Sequence, residues 1–134
     1  MENSVARVAI SSSADIVIAR QKGRELATEL GFDGADLTLI ATAISEVARN
    51  IVDHAKVGEI VLNPTIQANK RGLVITARDD GPGITDVKKA MEYGYSTRSG
   101  LGVGLPGAKW LMDEFDIDSK VGKGTTVTMK KWLR

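Results

Sequence analysis

Glycine occurs in three short clusters, and their positions constrain the fold more than any other feature of this chain. The clusters are Asp79–Gly83, Gly100–Gly104 and Gly122–Gly124. The first follows a predicted strand, the second precedes a predicted helix and the third joins two predicted strands. The stretch from Asp79 to Gly104 is too long for a plain connection, and connections of this length are usually functional or disordered. Glycine also lets a ligand approach the backbone closely, so the clusters indicate a binding function.

Strand-like and helix-like segments follow one another without a strict β–α–β alternation. The predicted strands are Val5–Ile10, Glu59–Leu62, Leu73–Ala77, Phe115–Ser119 and Thr125–Trp132, and the predicted helices are Asp15–Leu30, Asp36–Ala55, Asp86–Tyr93 and Leu105–Asp113. Strands two and three, and strands four and five, have hairpin patterns, and Pro64 is expected at an edge or a bulge. This order predicts an α/β two-layer sandwich, a mixed or antiparallel sheet covered on one face by helices. The length of 134 residues predicts a single domain over 1–134.

Composition excludes several classes of function. The 18 Lys and Arg residues nearly balance the 17 Asp and Glu residues, so no positive field favours nucleic acid or an anionic membrane. The chain has no Cys and one His, which excludes thiolate zinc sites, His-cluster metal sites and a Cys nucleophile. No apolar run reaches the length of a membrane span, and the first residues lack a signal-peptide pattern. We therefore expect a cytoplasmic protein.

The helix predicted at Asp36–Ala55 carries a polar group of possible chemical importance. At about 100° per residue, Glu46, Asn50 and Asp53 fall on one side, opposite the apolar residues. On this spacing alone, a solvated face of an amphipathic helix is the favoured explanation. A carboxylate and a carboxamide one turn apart also suit Mg²⁺, which takes few protein oxygens, or a proton acceptor beside it.

The first glycine cluster places Asp79 at the end of a strand. A simple turn accounts for its two glycines and its proline. In the functional interpretation, Asp79 lies inside a pocket, where a buried carboxylate accepts a hydrogen bond from an exocyclic amine such as that of adenine. Both interpretations remain open at this point.

The second cluster runs directly into a helix, so several N–H groups and the helix dipole face any anion bound there. The preceding stretch Tyr95–Ser99 is polar, with Arg98 and three hydroxyl groups that can meet phosphates. A disordered surface loop explains this polarity but not the glycine spacing. The segment Gly122–Thr125, which contains the third cluster, has the pattern of a hairpin turn.

The order of these features resembles the Bergerat-fold (GHKL) ATP-binding family, which includes gyrase, Hsp90, histidine kinases and MutL. Glu46-x-x-x-Asn50 is similar to the N box of that family, and the first two glycine clusters are similar to its glycine boxes. Within this family, the chain most resembles RsbT-type serine/threonine switch kinases of the stressosome. The segments that carry this resemblance are Ile44–Ile51, Gly102–Lys109 and the C-terminal Lys131–Arg134.

The resemblance implies a role for each matching residue. Glu46 would act as the base toward the incoming hydroxyl, Asn50 would ligate Mg²⁺ on the phosphates, and Asp79 would bind the adenine amine. The remaining implied ATP-binding residues are Gly81, Gly83, Ser96, Thr97, Arg98, Gly100, Gly102, Val103, Gly104 and Thr125. Arg98 stands where a small residue is expected, so its role stays open between phosphate, protein substrate and neither.

The resemblance also implies an activity and partners. The activity is phosphoryl transfer from ATP, with Mg²⁺, to a Ser or Thr of a STAS-domain protein, RsbS-like or RsbR-like. The kinase would then activate an output protein such as an RsbU-like phosphatase of the PPM type. Two alternatives remain: an anti-sigma factor with kinase activity, of the RsbW or SpoIIAB type, and a nucleotide-gated binding module without transfer.

Overall fold

One antiparallel sheet of five strands forms the framework of the fold. The computed structural model describes residues 5–84, 87, 91 and 104–134. The strands are β1 (Ala6–Ile10), β2 (Gly58–Gln67), β3 (Lys70–Asp79), β4 (Glu114–Lys120) and β5 (Gly124–Trp132), in the sheet order β1-β2-β3-β5-β4. The described helices are α1 (Ser13–Leu30), α2 (Gly34–His54) and α3 (Gly104–Leu111). The predicted two-layer sandwich is confirmed, with an antiparallel sheet.

Buried and exposed residues alternate along the strands, and the buried ones form the face of the sheet that packs against the helices. Ile60 and Leu62 of β2 and Ile75 of β3 are fully buried, whereas the residues between them are more exposed. This two-residue period is typical of a sheet with one covered face. The main hydrophobic cluster lies between this face and the apolar sides of α1 and α2.

The β2–β3 hairpin is longer than predicted. Both strands run for ten residues, and Pro64 lies inside β2 opposite Leu73. Among the described residues, β1 pairs with Gly58–Leu62 of β2, and this pairing ends two residues before Pro64. The edge or bulge position of Pro64 stays a prediction, because the residue that would continue the β1 pairing opposite it lies outside the described residues.

Local signals fix the boundaries of α1. Asp15 accepts hydrogen bonds from the backbone N–H groups of Ser11 at 2.8 Å and Ser12 at 3.2 Å. The N–H of Ser11 is the chief cause that lowers the pKa of Asp15 below its ordinary value. The helix ends at Gly31, whose φ of 108° is left-handed, as the sequence predicts for a glycine that follows a helix.

Helix α2 is more deeply buried than an amphipathic surface helix. Ile40, Ile44, Val47 and Ile51 are buried in the core as predicted, but Ser45 and Glu46 are also buried, at 7% and 8% exposure. Helix α3 packs on this second side of α2 and covers it. The solvated-face interpretation is therefore wrong for Glu46, while Asp53 is exposed as that interpretation expects.

The helix predicted at Asp86–Tyr93 lies mostly outside the described residues. Within it, the N–H of Met91 donates to the carbonyl of Val87 at 3.0 Å. Among the residues that the structure describes, no helix is long and apolar enough to cross a membrane.

Candidate nucleotide-binding site

Strand register places a row of polar side chains at one end of the sheet. Asp79 of β3 pairs with Thr125 of β5, and Thr125 pairs with Ser119 of β4. All three face the helices, since the next row on that face is Ala77, Val127 and Ile117 of the apolar cluster. Asp79 and Thr125 are buried, at 8% and 5% exposure. The core therefore ends in a buried carboxylate beside two hydroxyl groups.

Only one oxygen of the Asp79 carboxylate forms a hydrogen bond with a described group of the protein. Its Oδ1 accepts the N–H of Gly81 at 2.9 Å, and no described group donates to Oδ2. No fully buried side-chain oxygen in the described part of the chain lacks a partner, so Oδ2 is accessible. Asp79 also lines an open cavity of about 450 Å³, with Ala55, Val57, Gly58, Glu59, Arg78 and Asp80. The carboxylate of Asp79 therefore borders an open cavity.

The first and third glycine clusters pack against each other. The N–H of Gly122 donates to the carbonyl of Pro82 at 2.8 Å. Gly83, with φ of 78°, lies so close to Lys120 that an added Cβ would be 2.2 Å from its carbonyl oxygen. A Cβ added at Gly124 would likewise be 2.1 Å from the carbonyl oxygen of Asp79. The third cluster is a hairpin turn, as predicted, and it also supports the loop after β3.

Gly81 fixes the distance between this loop and α2. A Cβ added at Gly81 would lie 2.5 Å from the Cβ of Ala55, the residue that ends α2. The loop after Asp79 therefore touches the C-terminal end of α2, and this end of the helix borders the carboxylate.

Glu46 lies further toward the start of α2, where it contacts the beginning of α3. Its Oε1 accepts the N–H of Gly104 at 2.9 Å, and its Oε2 accepts Nη1 of Arg49 at 3.0 Å. The carboxylate is buried, whereas the Arg49 side chain is 28% exposed. Both oxygens of the predicted base are thus in contact with the protein.

Asn50 lies one helical turn after Glu46 and is half-buried. Among the described residues, no group forms a hydrogen bond with its side chain. A partly buried carboxamide without a protein partner is a suitable oxygen ligand for a hard cation. The donor set is small, which suits Mg²⁺ better than a cation that needs a full protein cage.

The structure also shows two polar residues that the sequence analysis missed. Ser119 Oγ lies 2.7 Å from Thr125 Oγ1 and accepts the N–H of Ile84 at 2.7 Å. The Arg49–Glu46 ion pair was not predicted, although a spacing of three residues on a helix indicates such pairs. Six predicted residues lie outside the described ranges: Ser96, Thr97, Arg98, Gly100, Gly102 and Val103.

Comparison with known proteins places the chain in a family. Residues 35–134 match the family described as histidine kinase-, DNA gyrase B-, and HSP90-like ATPase. The chain belongs to this family. It is 52% identical to Serine/threonine-protein kinase RsbT of Bacillus subtilis (strain 168), across 98% of this chain and 99% of that protein. It is 35% identical to an anti-sigma F factor of Caldanaerobacter subterraneus subsp. tengcongensis, across 92% and 90% of the two chains.

Solved structures show the same fold. The RsbU and RsbW domains of Rv1364c from Mycobacterium tuberculosis align with a TM-score of 0.66 at 23% identity, over 98% of this chain and 33% of that one. The histidine kinase domain of a blue-light activated kinase from Erythrobacter litoralis EL346 aligns with a TM-score of 0.54 at 18% identity, over 96% and 65%. This chain therefore spans a third and just under two thirds of those chains.

These findings confirm the predicted fold, family and enzyme class. The chain is a GHKL-type ATPase-kinase domain and a homologue of a serine/threonine-protein kinase, with partner-switching regulators among its relatives. ATP, as the nucleotide of this family, is confirmed with it.

Proposed function

We propose that this protein transfers the γ-phosphoryl group of ATP to a Ser or Thr hydroxyl of a STAS-domain protein in a stress-response partner-switching pathway. The observation that carries the proposal is the distance along α2 between Glu46 and the loop that follows Asp79. Glu46 and Ala55, which touches the loop after Asp79, are nine residues apart, or about 13 Å along the helix. That span suits a nucleotide with its base at Asp79 and its phosphates near Glu46.

The base end of this site selects adenine through Asp79. Asp79 is a buried residue, and among the described residues only its Oδ1 accepts a hydrogen bond, which leaves Oδ2 for the 6-amino group. A nucleotide without that amine would leave the carboxylate unpaired, which is costly at a buried position. The close packing at Gly81 and Gly83 keeps side chains away from the base.

Asn50, halfway along the span, would hold Mg²⁺ through its side-chain oxygen. The ion neutralises phosphate charge that develops during transfer. The half-buried carboxamide, which has no hydrogen-bond partner among the described residues, fits this role. The glycines of the second cluster would bind the phosphates through backbone N–H groups.

Glu46 would accept the proton of the substrate hydroxyl. The hydroxyl oxygen forms a bond to the γ-phosphorus, the bond from that phosphorus to the β,γ-bridging oxygen breaks, and ADP leaves with the electron pair. Both Glu46 oxygens are in contact with the protein, one with Gly104 and one with Arg49. An ionised carboxylate has about four lone-pair sites on its two oxygens, so Glu46 keeps acceptor sites for the proton beside these two contacts.

The protein substrates would be RsbS-like and RsbR-like STAS proteins, and the released kinase would then activate an RsbU-like phosphatase. The support for this assignment is the 52% identity to the kinase RsbT over nearly the whole of both chains. The 35% identity to an anti-sigma F factor favours a second candidate function, sequestration of a sigma factor combined with kinase activity.

The test is transfer of label from γ-labelled ATP, with Mg²⁺, to a purified RsbS-like STAS protein. Glu46→Gln is the matched variant, because its amide oxygen still accepts the Gly104 N–H. We expect label on a Ser or Thr that depends on Glu46. Absence of label from a wild-type protein that binds ATP would contradict the kinase assignment and favour a nucleotide-gated binding module. A stable complex with a sigma factor would favour the second candidate.

A further inference from the structure

Ser119 is the one member of the polar row that neither the sequence resemblance nor the proposed mechanism uses. It lies on β4, on the helix-covered face, directly opposite Thr125. Its hydroxyl contacts three groups: the N–H of Ile84 at 2.7 Å, Thr125 Oγ1 at 2.7 Å and the carbonyl of Gly124 at 3.2 Å. This half-buried serine therefore connects the loop after β3, the side chain of Thr125 and the backbone at the start of β5.

The contacts of Ser119 limit the hydrogen-bond choices of Thr125. A hydroxyl carries one proton and accepts through its lone pairs. The N–H of Ile84 donates to Ser119 Oγ, so Ser119 donates its own proton to Thr125 or to Gly124. When Ser119 donates to the Gly124 carbonyl, its Oγ accepts the proton of Thr125, and this short contact holds the Thr125 hydroxyl toward β4. On its other side Thr125 is paired with Asp79 of β3, whose carboxylate is an acceptor on the same face of the sheet.

We propose that Ser119 is a positioning residue for nucleotide selection, which keeps the Thr125 hydroxyl off Asp79 and so leaves Oδ2 for the amine of the base. This inference rests on the proposed binding of adenine at Asp79. Ser119 does not touch the nucleotide in this proposal, and it acts only through Thr125. Its loss would let Thr125 satisfy Asp79 within the protein, and a ligand amine would then compete with that bond.

The experiment measures equilibrium binding of two probes by calorimetry with Mg²⁺: ADP and purine riboside 5′-diphosphate, which lacks the 6-amino group. Ser119→Ala should weaken ADP binding roughly five- to tenfold, the effect of one hydrogen bond. Binding of the purine probe should change little, so discrimination between the probes falls. Ser119→Thr keeps the hydroxyl and should restore discrimination. The transfer rate at saturating ATP should change less than KM.

A double variant separates this role from simple support of the loop at Ile84. In a Thr125→Val background, Ser119→Ala should cost no further ADP affinity, because the competing hydroxyl is gone. An equal loss in both backgrounds would overturn the proposal and assign Ser119 to loop support through Ile84. Unchanged discrimination in Ser119→Ala would overturn it as well.

The same titrations distinguish failure of this inference from failure of the proposed function. A wild-type protein that binds neither probe would contradict nucleotide binding itself. A wild-type protein that binds both probes equally would contradict the adenine assignment at Asp79. Thermal unfolding of each variant shows that the fold is retained, so a loss of affinity reports on the site.

Discussion

The two ends of the candidate site are built in different ways. At the base end, Asp79, Thr125 and Ser119 are placed by the register of three adjacent strands. At the phosphate end, Glu46 of α2 meets the first residue of α3 through one hydrogen bond, and Arg49 through an ion pair. A sheet register cannot shift by small steps, whereas two side-chain contacts can be exchanged individually. The base end is therefore fixed by strand pairing, and the phosphate end depends on two separable side-chain contacts.

The largest expected effect comes from Glu46→Gln at the phosphate end. We expect transfer to the STAS protein to fall by about 10²- to 10⁴-fold, the usual contribution of a general base, with ADP affinity nearly unchanged. Single-turnover transfer and calorimetric binding measure the two quantities on the same preparation.

Asp15→Asn, which changes no residue assigned to either end, is the control variant for that experiment. A similar loss of transfer in this control would show that the assay responds to stability. A loss of nucleotide affinity in Glu46→Gln that matches its loss of transfer would contradict the division of the site into two ends.

Asp79→Asn tests the base end. The amide oxygen can still accept the Gly81 N–H, but the amide NH₂ replaces the accessible oxygen and faces the amine of the base as a second donor. We expect nucleotide affinity to fall by roughly tenfold to a hundredfold, as for a hydrogen bond to a charged group. The thermal midpoint should change little. An unchanged dissociation constant for ADP would disprove the adenine assignment.

Gly124→Ala measures how tightly the base end is packed. Its φ of 104° and the 2.1 Å approach of an added Cβ to the Asp79 carbonyl oxygen predict a loss of about 2–4 kcal/mol in the free energy of unfolding, from overpacking and backbone strain together. The measurement is denaturant unfolding monitored by circular dichroism.

Gly122→Ala is the matched control in the same turn. Gly122 also has a positive φ, of 80°, but nothing lies within 4 Å of an added Cβ. Its loss should be limited to the strain of about 1–2 kcal/mol. Equal losses in the two variants would show that the close approach to Asp79 has no energetic consequence, and would weaken the description of a rigid base end.

Sequence reasoning succeeded where the signal is local and failed where it depends on long-range packing. The strand before Asp79, the hairpins and the end of α1 at Gly31 follow from alternation and glycine positions, and the family resemblance follows from the spacing of Glu46, Asn50 and the glycine clusters. The burial of Glu46 could not be predicted from a helical wheel, because it depends on where α3 packs. Ser119 was missed because its role depends on a register across three strands.

The smallest expected effect lies at Asp15, outside both ends of the site. Hydrogen bonds from the N–H groups of Ser11 and Ser12 favour the charged form, so the pKa of Asp15 is lower in the folded state than its ordinary value of 3.8. The stabilisation that results is present in full well above pH 3.8 and is lost as the pH falls through the folded-state pKa. Asp15→Asn should therefore lower the thermal midpoint slightly at pH 7, and this difference should shrink below about pH 4. Nucleotide affinity and transfer should stay at the wild-type level, since Asp15 caps a helix that contributes no side chain to either end. A difference in midpoint that is constant down to pH 2 would show that the charge of Asp15 contributes nothing to stability.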